Sequence, residues 1–304
     1  MENKSLTALV SAFSRAYHAE HNQIKIFDDQ LARQLLTDEE YENIASNMSQ
    51  AIAFFQPGFA GSQEQALRRI VDHQLSPSPL GRAAFAEQAL AVAATLGARQ
   101  YIVFAAGYDT FAYRQPEWAA KLQIFEIDHP ATAADKRRRV SALHLDAPSN
   151  LHCISADFRD PDWQDRVLAN PAFDPALISF SSLLGISYYL PKDVFKQFLS
   201  AIASLLPTGS SIVFDYPDEQ TFTSQAGERA QKQVMMAARA GEPMQASYSY
   251  SELEQMLEEA DMLIYQHLTP VEITGQLFHA YNDSQPAHKI TAFDNVNYCL
   301  AVKR

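Results

Sequence analysis

The chain has 304 residues, 47% of them hydrophobic and 20% charged, and a formal net charge of -12. Such a composition buries a sizeable core and argues against disorder, while the acidity argues against a nucleic-acid or anionic-membrane partner, which needs a basic footprint. With no apolar run of about 18 residues and no charged-then-apolar leader pattern over Met1 to Leu9, the sequence reads as a soluble, cytoplasmic protein.

Residues 1 to about 95 read as a helical annex, with apolar positions at helical spacing in Leu31, Leu35 and Leu36, and again in Leu67, Ile70 and Val71. Pro77-Ser78-Pro79-Leu80-Gly81 is expected to break this layer before a last annex helix from Arg82 to Leu96, which Gly97 stops. From Gln100 the pattern changes. Tyr101-Ile102-Val103-Phe104-Ala105 is a short continuous apolar run, as expected of a parallel strand buried on both faces. Further strands are expected at 123–127, 151–155, 176–181 and 211–216, with helices at 131–143, 162–169 and 192–206 between them. A polar, helix-prone insertion follows at about 217–249, then a helix at 251–260 and a final strand at 296–302. The alternation predicts an α/β fold: a Rossmann-like, doubly wound and mostly parallel sheet over residues 96–304, with its ligand at the carboxyl ends of the strands.

Two smaller features complete the chain. Lys136 to Arg139 form a basic run in the last turns of a predicted helix, and a solvated helix face is the expectation. Cys153 and Cys299 fall in strand-like apolar runs, read as buried free thiols and, without histidine ligands nearby, make no metal site.

Only ten glycines occur, so their placing is informative. Gly107 follows the first strand in Phe104-Ala105-Ala106-Gly107-Tyr108-Asp109-Thr110, where small residues let a ligand approach the backbone; a routine strand-end turn is the plain alternative. The second strand ends in Glu126-Ile127-Asp128, and Asp128 lies 21 residues after Gly107. An acid about 20 residues beyond a glycine turn accepts ribose hydroxyls in Rossmann-type sites, although Asp128 before His129-Pro130 also suits a helix cap.

These motifs, with Tyr113-Arg114 and Lys136, resemble the signature of the leucine carboxyl methyltransferase family. The resemblance extends to Arg15, Phe27-Asp28-Asp29 and Ala32, to Arg82, to Ala156-Asp157-Phe158-Arg159-Asp160, and to Gly185 with Tyr189-Leu190-Pro191. It covers roughly residues 10 to 216. The resemblance implies a class I methyltransferase core that uses S-adenosyl-L-methionine. It also implies that Arg82 meets the cofactor's carboxylate in a bidentate pair. Gly107 would pass under the amino-acid portion with Ala105 and Asp109 in the same turn, Asp128 would hold the ribose, and Asp157 and Phe158 would meet the adenine. The sequence departs from the family at Ala105 and Leu184, where glycine and glutamate are usual, and its Leu-Gly-x-x-x-Tyr-Leu stretch resembles a bacterial branch acting on small molecules.

The expected activity is O-methylation of a carboxylate or hydroxyl on a small-molecule acceptor. A non-catalytic S-adenosylmethionine-binding protein is the alternative. An NAD-dependent oxidoreductase is a weaker one, because Tyr108, Asp109 and Thr110 stand where a pyrophosphate needs glycines. A phenol or alcohol acceptor needs a base, for which His279 is the candidate; Tyr188, Tyr189 and Tyr216 sit at predicted strand ends and are candidates for the acceptor pocket. Arg82 and Asp128 are expected to be solvated cleft charges that contribute little to the fold.

Overall fold

The structure is a computed structural model and describes residues 5–239 and 241–304. Among the described residues, six α-helices precede the sheet: α1 (Leu6–His21), α2 (Leu31–Gln34), α3 (Asp38–Gln50), α4 (Ile52–Phe55), α5 (Gln63–Ile70) and α6 (Pro77–Leu96). Their starts are written in the sequence. Thr37 with Glu40 and Ser62 with Gln65 form capping boxes at α3 and α5, each satisfying two otherwise unpaired N–H groups. Pro77 opens α6 and Gly97, at φ 116°, closes it in the left-handed conformation.

The expected break at Pro77–Gly81 is therefore not a break: these residues are the first turns of α6. Two prolines near an N-terminus fit because the first helical N–H groups have no partner to lose. The interruption lies just before, where Val71–Leu75 form one turn of π-helix. Ser76 N–H donates to the Val71 carbonyl, five residues back, at 2.9 Å.

Strand and helix then alternate through β1 (Gln100–Phe104), α7 (Phe111–Arg114), β2 (Gln123–Asp128), α8 (Pro130–Ala142), β3 (Leu151–Ser155), α9 (Trp163–Leu168), β4 (Ser179–Leu183), α10 (Lys192–Leu205) and β5 (Ser211–Pro217). After these come α11 (Glu228–Arg239), α12 (Tyr250–Glu259), β6 (Met262–Leu268), α13 (Pro270–Leu277), α14 (His279–Ser284) and β7 (Val296–Lys303). The sheet order is β3-β2-β1-β4-β5-β7-β6. The first five strands run parallel, and β7 pairs antiparallel with β5 and β6. The fourth expected strand sits a little later than the sequence suggested, and β6 was not anticipated. In β6 only Met262 and Leu268 are buried, so the strand lacks the continuous apolar run that marks the central ones.

Alternate residues of β1 feed two cores. Ile102 and Phe104 pack with Phe195 and Leu199 of α10 and Leu253 of α12, while Tyr101 and Val103 pack with Phe85 and Leu90 of α6. A third cluster joins Phe13 and Tyr17 of α1 to Ile70, Val71, Tyr108 and Val140. Among the described residues, no helix is long and apolar enough to cross a membrane.

Two expectations about individual side chains are overturned. Cys153 is exposed, because β3 is the edge strand of the sheet, whereas Cys299 on β7 is fully buried. The basic run is a solvated face only in part: Arg137 and Arg138 are exposed, but Lys136 is buried against Glu126 at 2.6 Å, and Arg139 is buried between Asp135 and Glu40. Helical periodicity turns every third or fourth residue of such a run inward, and here carboxylates wait for them.

Candidate active site

The strand order reverses between β1 and β4, so their connections leave to opposite sides and open a crevice at the carboxyl ends. A cavity of about 460 Å³ lies there, lined by the ends of β1, β2 and β4, by α1 and α6, and by residues 241–245. That volume falls within the roughly 300–1,000 Å³ of small-molecule sites. Arg82, Ala105, Gly107, Asp109, Asp128 and Tyr189 all line it.

The turn after β1 is tight. Ala105 and Gly107 have φ of 53° and 52°, a left-handed conformation that glycine enters freely and alanine only at a cost. Asp128 holds this turn from the neighbouring strand, accepting from the Gly107 N–H at 2.5 Å and from the His129 N–H at 2.7 Å. Burial raises its carboxyl pKa, and the two backbone donors oppose that rise. Asp109 accepts from the Phe111 N–H at 2.8 Å, starting α7.

Arg82 reaches the opposite wall. Its Nη1 donates to the Tyr188 hydroxyl at 2.9 Å and lies 3.4 Å from Asp215 Oδ2. Asp215, at the end of β5, is fully buried and also accepts from the Gly185 N–H at 2.6 Å and the Tyr188 hydroxyl at 2.5 Å. The Arg82 side chain is 17% exposed, so the expectation of a solvated charge is corrected: in the ligand-free protein it neutralises a buried carboxylate. Burial would lower the guanidinium's pKa, but Tyr188 and Asp215 hold it above its ordinary value. Sequence reasoning missed Asp215. The available signal was a lone carboxylate inside Ser-Ile-Val-Phe-Asp-Tyr, since charges do not enter buried strands without a partner.

The other motif residues brace the site. Arg15 donates to Asp29 at 2.8 Å and to the Tyr108 carbonyl at 2.7 Å, and Thr110 donates to Asp29 at 2.8 Å. Arg114 Nε donates to Thr110 at 2.8 Å and its other end to Glu87. Asp29 is completely buried; burial raises its pKa, but Arg15 and Arg114 outweigh that and hold it low. This chain of bonds fastens α1 and the segment before α2 to the glycine turn.

A smaller cavity of about 100 Å³ adjoins the first, and the two share Thr7, Ser11, Pro79, Arg82, Gly185 and Tyr189. Its remaining wall is largely apolar and includes Tyr188, Leu75, Val234, Met244 and Phe293. Tyr216 is not brought here. It is buried in the core below, with its hydroxyl 2.7 Å from His267 Nε2. Nor is His279, which is exposed at the start of α14 with Nδ1 3.1 Å from the Gln276 carbonyl. Asp157 and Phe158 follow β3, beyond the lining of either cavity. Asp157 accepts from Arg159, whose hydrogen bonds bring its pKa down to about 2, and the Phe158 ring packs on Trp163 and Phe198.

Residues 8–203 match the leucine carboxyl methyltransferase family. The chain belongs to that family. It is 40% identical over 305 residues to YktD of Bacillus subtilis, provisionally named an S-adenosyl-L-methionine-dependent methyltransferase, covering 99% of this chain and 98% of that one. Among solved structures it resembles a DUF574-family protein of Streptomyces avermitilis, with TM-score 0.62, 14% identity and 97% of both chains covered. A protein of Thermobifida fusca, provisionally named a methyltransferase, aligns with TM-score 0.54 and 15% identity over 99% of this chain and 96% of its own. At these identities the structural likeness shows the fold alone, a Rossmann-like α/β core. Family membership makes the chain a methyltransferase.

Proposed function

We propose that the protein is an S-adenosyl-L-methionine-dependent O-methyltransferase that esterifies a carboxylate of a small-molecule acceptor. The observation that carries the reading is convergence: Arg82, Ala105, Gly107, Asp109 and Asp128, from α6, the turn after β1 and the end of β2, line one cavity at the carboxyl ends of the strands. The donor set fits the cofactor, with a guanidinium for its carboxylate, an open glycine turn for its amino-acid portion and an acid for its ribose. Asp157 and Phe158 would meet the adenine. When bound, S-adenosylmethionine supplies a methyl group already activated on a sulfonium, and the chain's residues orient the acceptor and exclude water.

The smaller cavity is the acceptor site in this reading, because its shared wall carries Arg82 and Tyr189 into both spaces. Its ionisable groups favour a carboxylate over a phenol or alcohol. Arg82 stays cationic, Tyr188 donates to Asp215 and has its pKa pushed well up by burial and by that carboxylate, burial pushes Tyr189 up to about 12, and Asp294 pairs with Arg229 at 3.0 Å. Among the described residues, no histidine lines this cavity, and a carboxylate is already nucleophilic at neutral pH and needs no base. Residues 1–95 act as an annex closing the core of 96–304, residues 217–249 as an insertion over the acceptor, and the site of action is cytoplasmic.

The test offers methyl-labelled cofactor with a panel of carboxylic acids and phenols. Product that releases labelled methanol in mild alkali marks an ester. Alkali-stable product from phenols alone would refute the carboxylate reading, and cofactor binding without turnover of either class would favour a binding protein.

A further inference from the structure

Two side-chain amides in the smaller cavity stand apart from everything described so far. Gln74 is 8% exposed and its Oε1 is buried without a hydrogen-bond partner; the same holds for Oε1 of Gln233. Both line the smaller cavity, and neither lines the larger one. Buried amides are almost always paired, so two unpaired ones in one cavity wall require an explanation.

The local backbone supplies a second observation. Gln74 belongs to the π-helical turn Val71–Leu75, and such turns are rare and concentrated at functional sites. With Leu75 beside it, Gln74 faces the cavity from this widened turn. Gln233 comes from the other side, on α11, where Ala230, Gln233 and Val234 form one face at i, i+3 and i+4. The insertion thus meets the annex across the cavity through a pair of neutral amides. Both lie off the wall shared with the larger cavity, and so away from the end where methyl transfer would occur.

We propose that Gln74 and Gln233 recognise an uncharged hydrogen-bonding group, a hydroxyl or carboxamide, at the end of the acceptor remote from its methylated carboxylate. The inference rests on the smaller cavity's being the acceptor site. An amide presents both a donor and an acceptor, so the pair matches a neutral group that does the same. A charged remote group would instead be left without a counter-charge from either amide. The apolar remainder of the wall calls for an apolar body between the two ends.

Two measurements test this. The first needs no acceptor: Gln74→Met and Gln233→Met replace amides whose buried oxygens are unpaired with apolar side chains of similar size. If the amides are held open for a ligand, each variant raises the ligand-free Tm by about 2–4 °C while calorimetry with S-adenosylhomocysteine shows unchanged binding. An unchanged or lower Tm means that the amides are satisfied within the protein and overturns the proposal. The second compares carboxylic acids of one apolar framework ending in hydroxyl, carboxamide, methyl or a second carboxylate. The wild type should prefer the first two in kcat/KM by about tenfold to hundredfold, and the variants should lose that preference. Preference for the methyl or the dicarboxylate member overturns the proposal. If no acid is methylated although S-adenosylhomocysteine binds, the acceptor reading itself fails, and the melting result still decides whether the amides are unsatisfied.

Discussion

Replacing Arg82 with alanine tests the site at a residue that lines both cavities. The substitution removes the guanidinium from Asp215, a carboxylate with no exposed surface, and leaves it with the Gly185 N–H and the Tyr188 hydroxyl. Breaking a fully buried pair costs about 3–5 kcal/mol. Here the contact is 3.4 Å long and the arginine side chain keeps 17% exposure, so a loss of about 2–3 kcal/mol is expected after discounting for screening. That exceeds the roughly 0.5 kcal/mol of an ordinary surface substitution. Adding Asp215→Asn removes the stranded charge, so the double variant should recover part of the stability lost in Arg82→Ala. Cofactor affinity should behave differently. It needs the guanidinium itself, so both the single and the double variant should bind S-adenosylhomocysteine about tenfold to hundredfold more weakly. Urea unfolding of the ligand-free proteins and calorimetric titration read the two effects separately. Arg82→Ala with wild-type unfolding would refute the buried pair, and a double variant that regains affinity would remove Arg82 from the cofactor site.

Gly185 has φ 77° and a Cβ there would collide with the Arg82 guanidinium, so Gly185→Ala should cost cofactor affinity as Arg82→Ala does; unchanged titration would show that Arg82 adjusts freely. His18 is buried, its Nε2 accepts from the Ile26 N–H at 2.9 Å, and burial with Arg68 and Lys25 lowers its pKa to about 4. Its folded pKa lies below the ordinary 6.5, so its contribution is full above pH 6.5 and is lost as pH falls through about 4, up to roughly 3 kcal/mol. Asp72, raised to about 6 by burial, works in the opposite direction below that pH, so the comparison with His18→Gln isolates the histidine; equal acid slopes in the two proteins would refute its burial as a neutral ring. A thiol reagent should label Cys153 in the native protein and Cys299 only after unfolding, and mass mapping that finds the reverse would place β3 inside the sheet rather than at its edge.

What the sequence showed and what it hid follow one physical division. β1, β2, β3 and β5 were legible because apolar runs between turn residues have one cheap use, a strand in a parallel sheet, and the Gly107–Asp128 spacing was legible because it is local to one β-α-β unit. Buried charge was not legible. Lys136 and Arg139 look the same in sequence whether they face water or Glu126 and Glu40, and those partners lie 10 and 99 residues away. Asp215 and Arg82 are 133 residues apart, so nothing local distinguishes a cleft charge in water from one that neutralises a carboxylate. The same distance hid Gln74 and Gln233, which no periodicity joins and which only the meeting of α11 with the π-turn places in one wall. Tyr216 and His279 were misplaced for the converse reason. A position at a strand end or in a late loop fixes the level in the sheet but not the face, and Tyr216 at the end of β5 turns its ring into the core while its neighbours Asp215 and Pro217 meet Arg82 and the smaller cavity respectively.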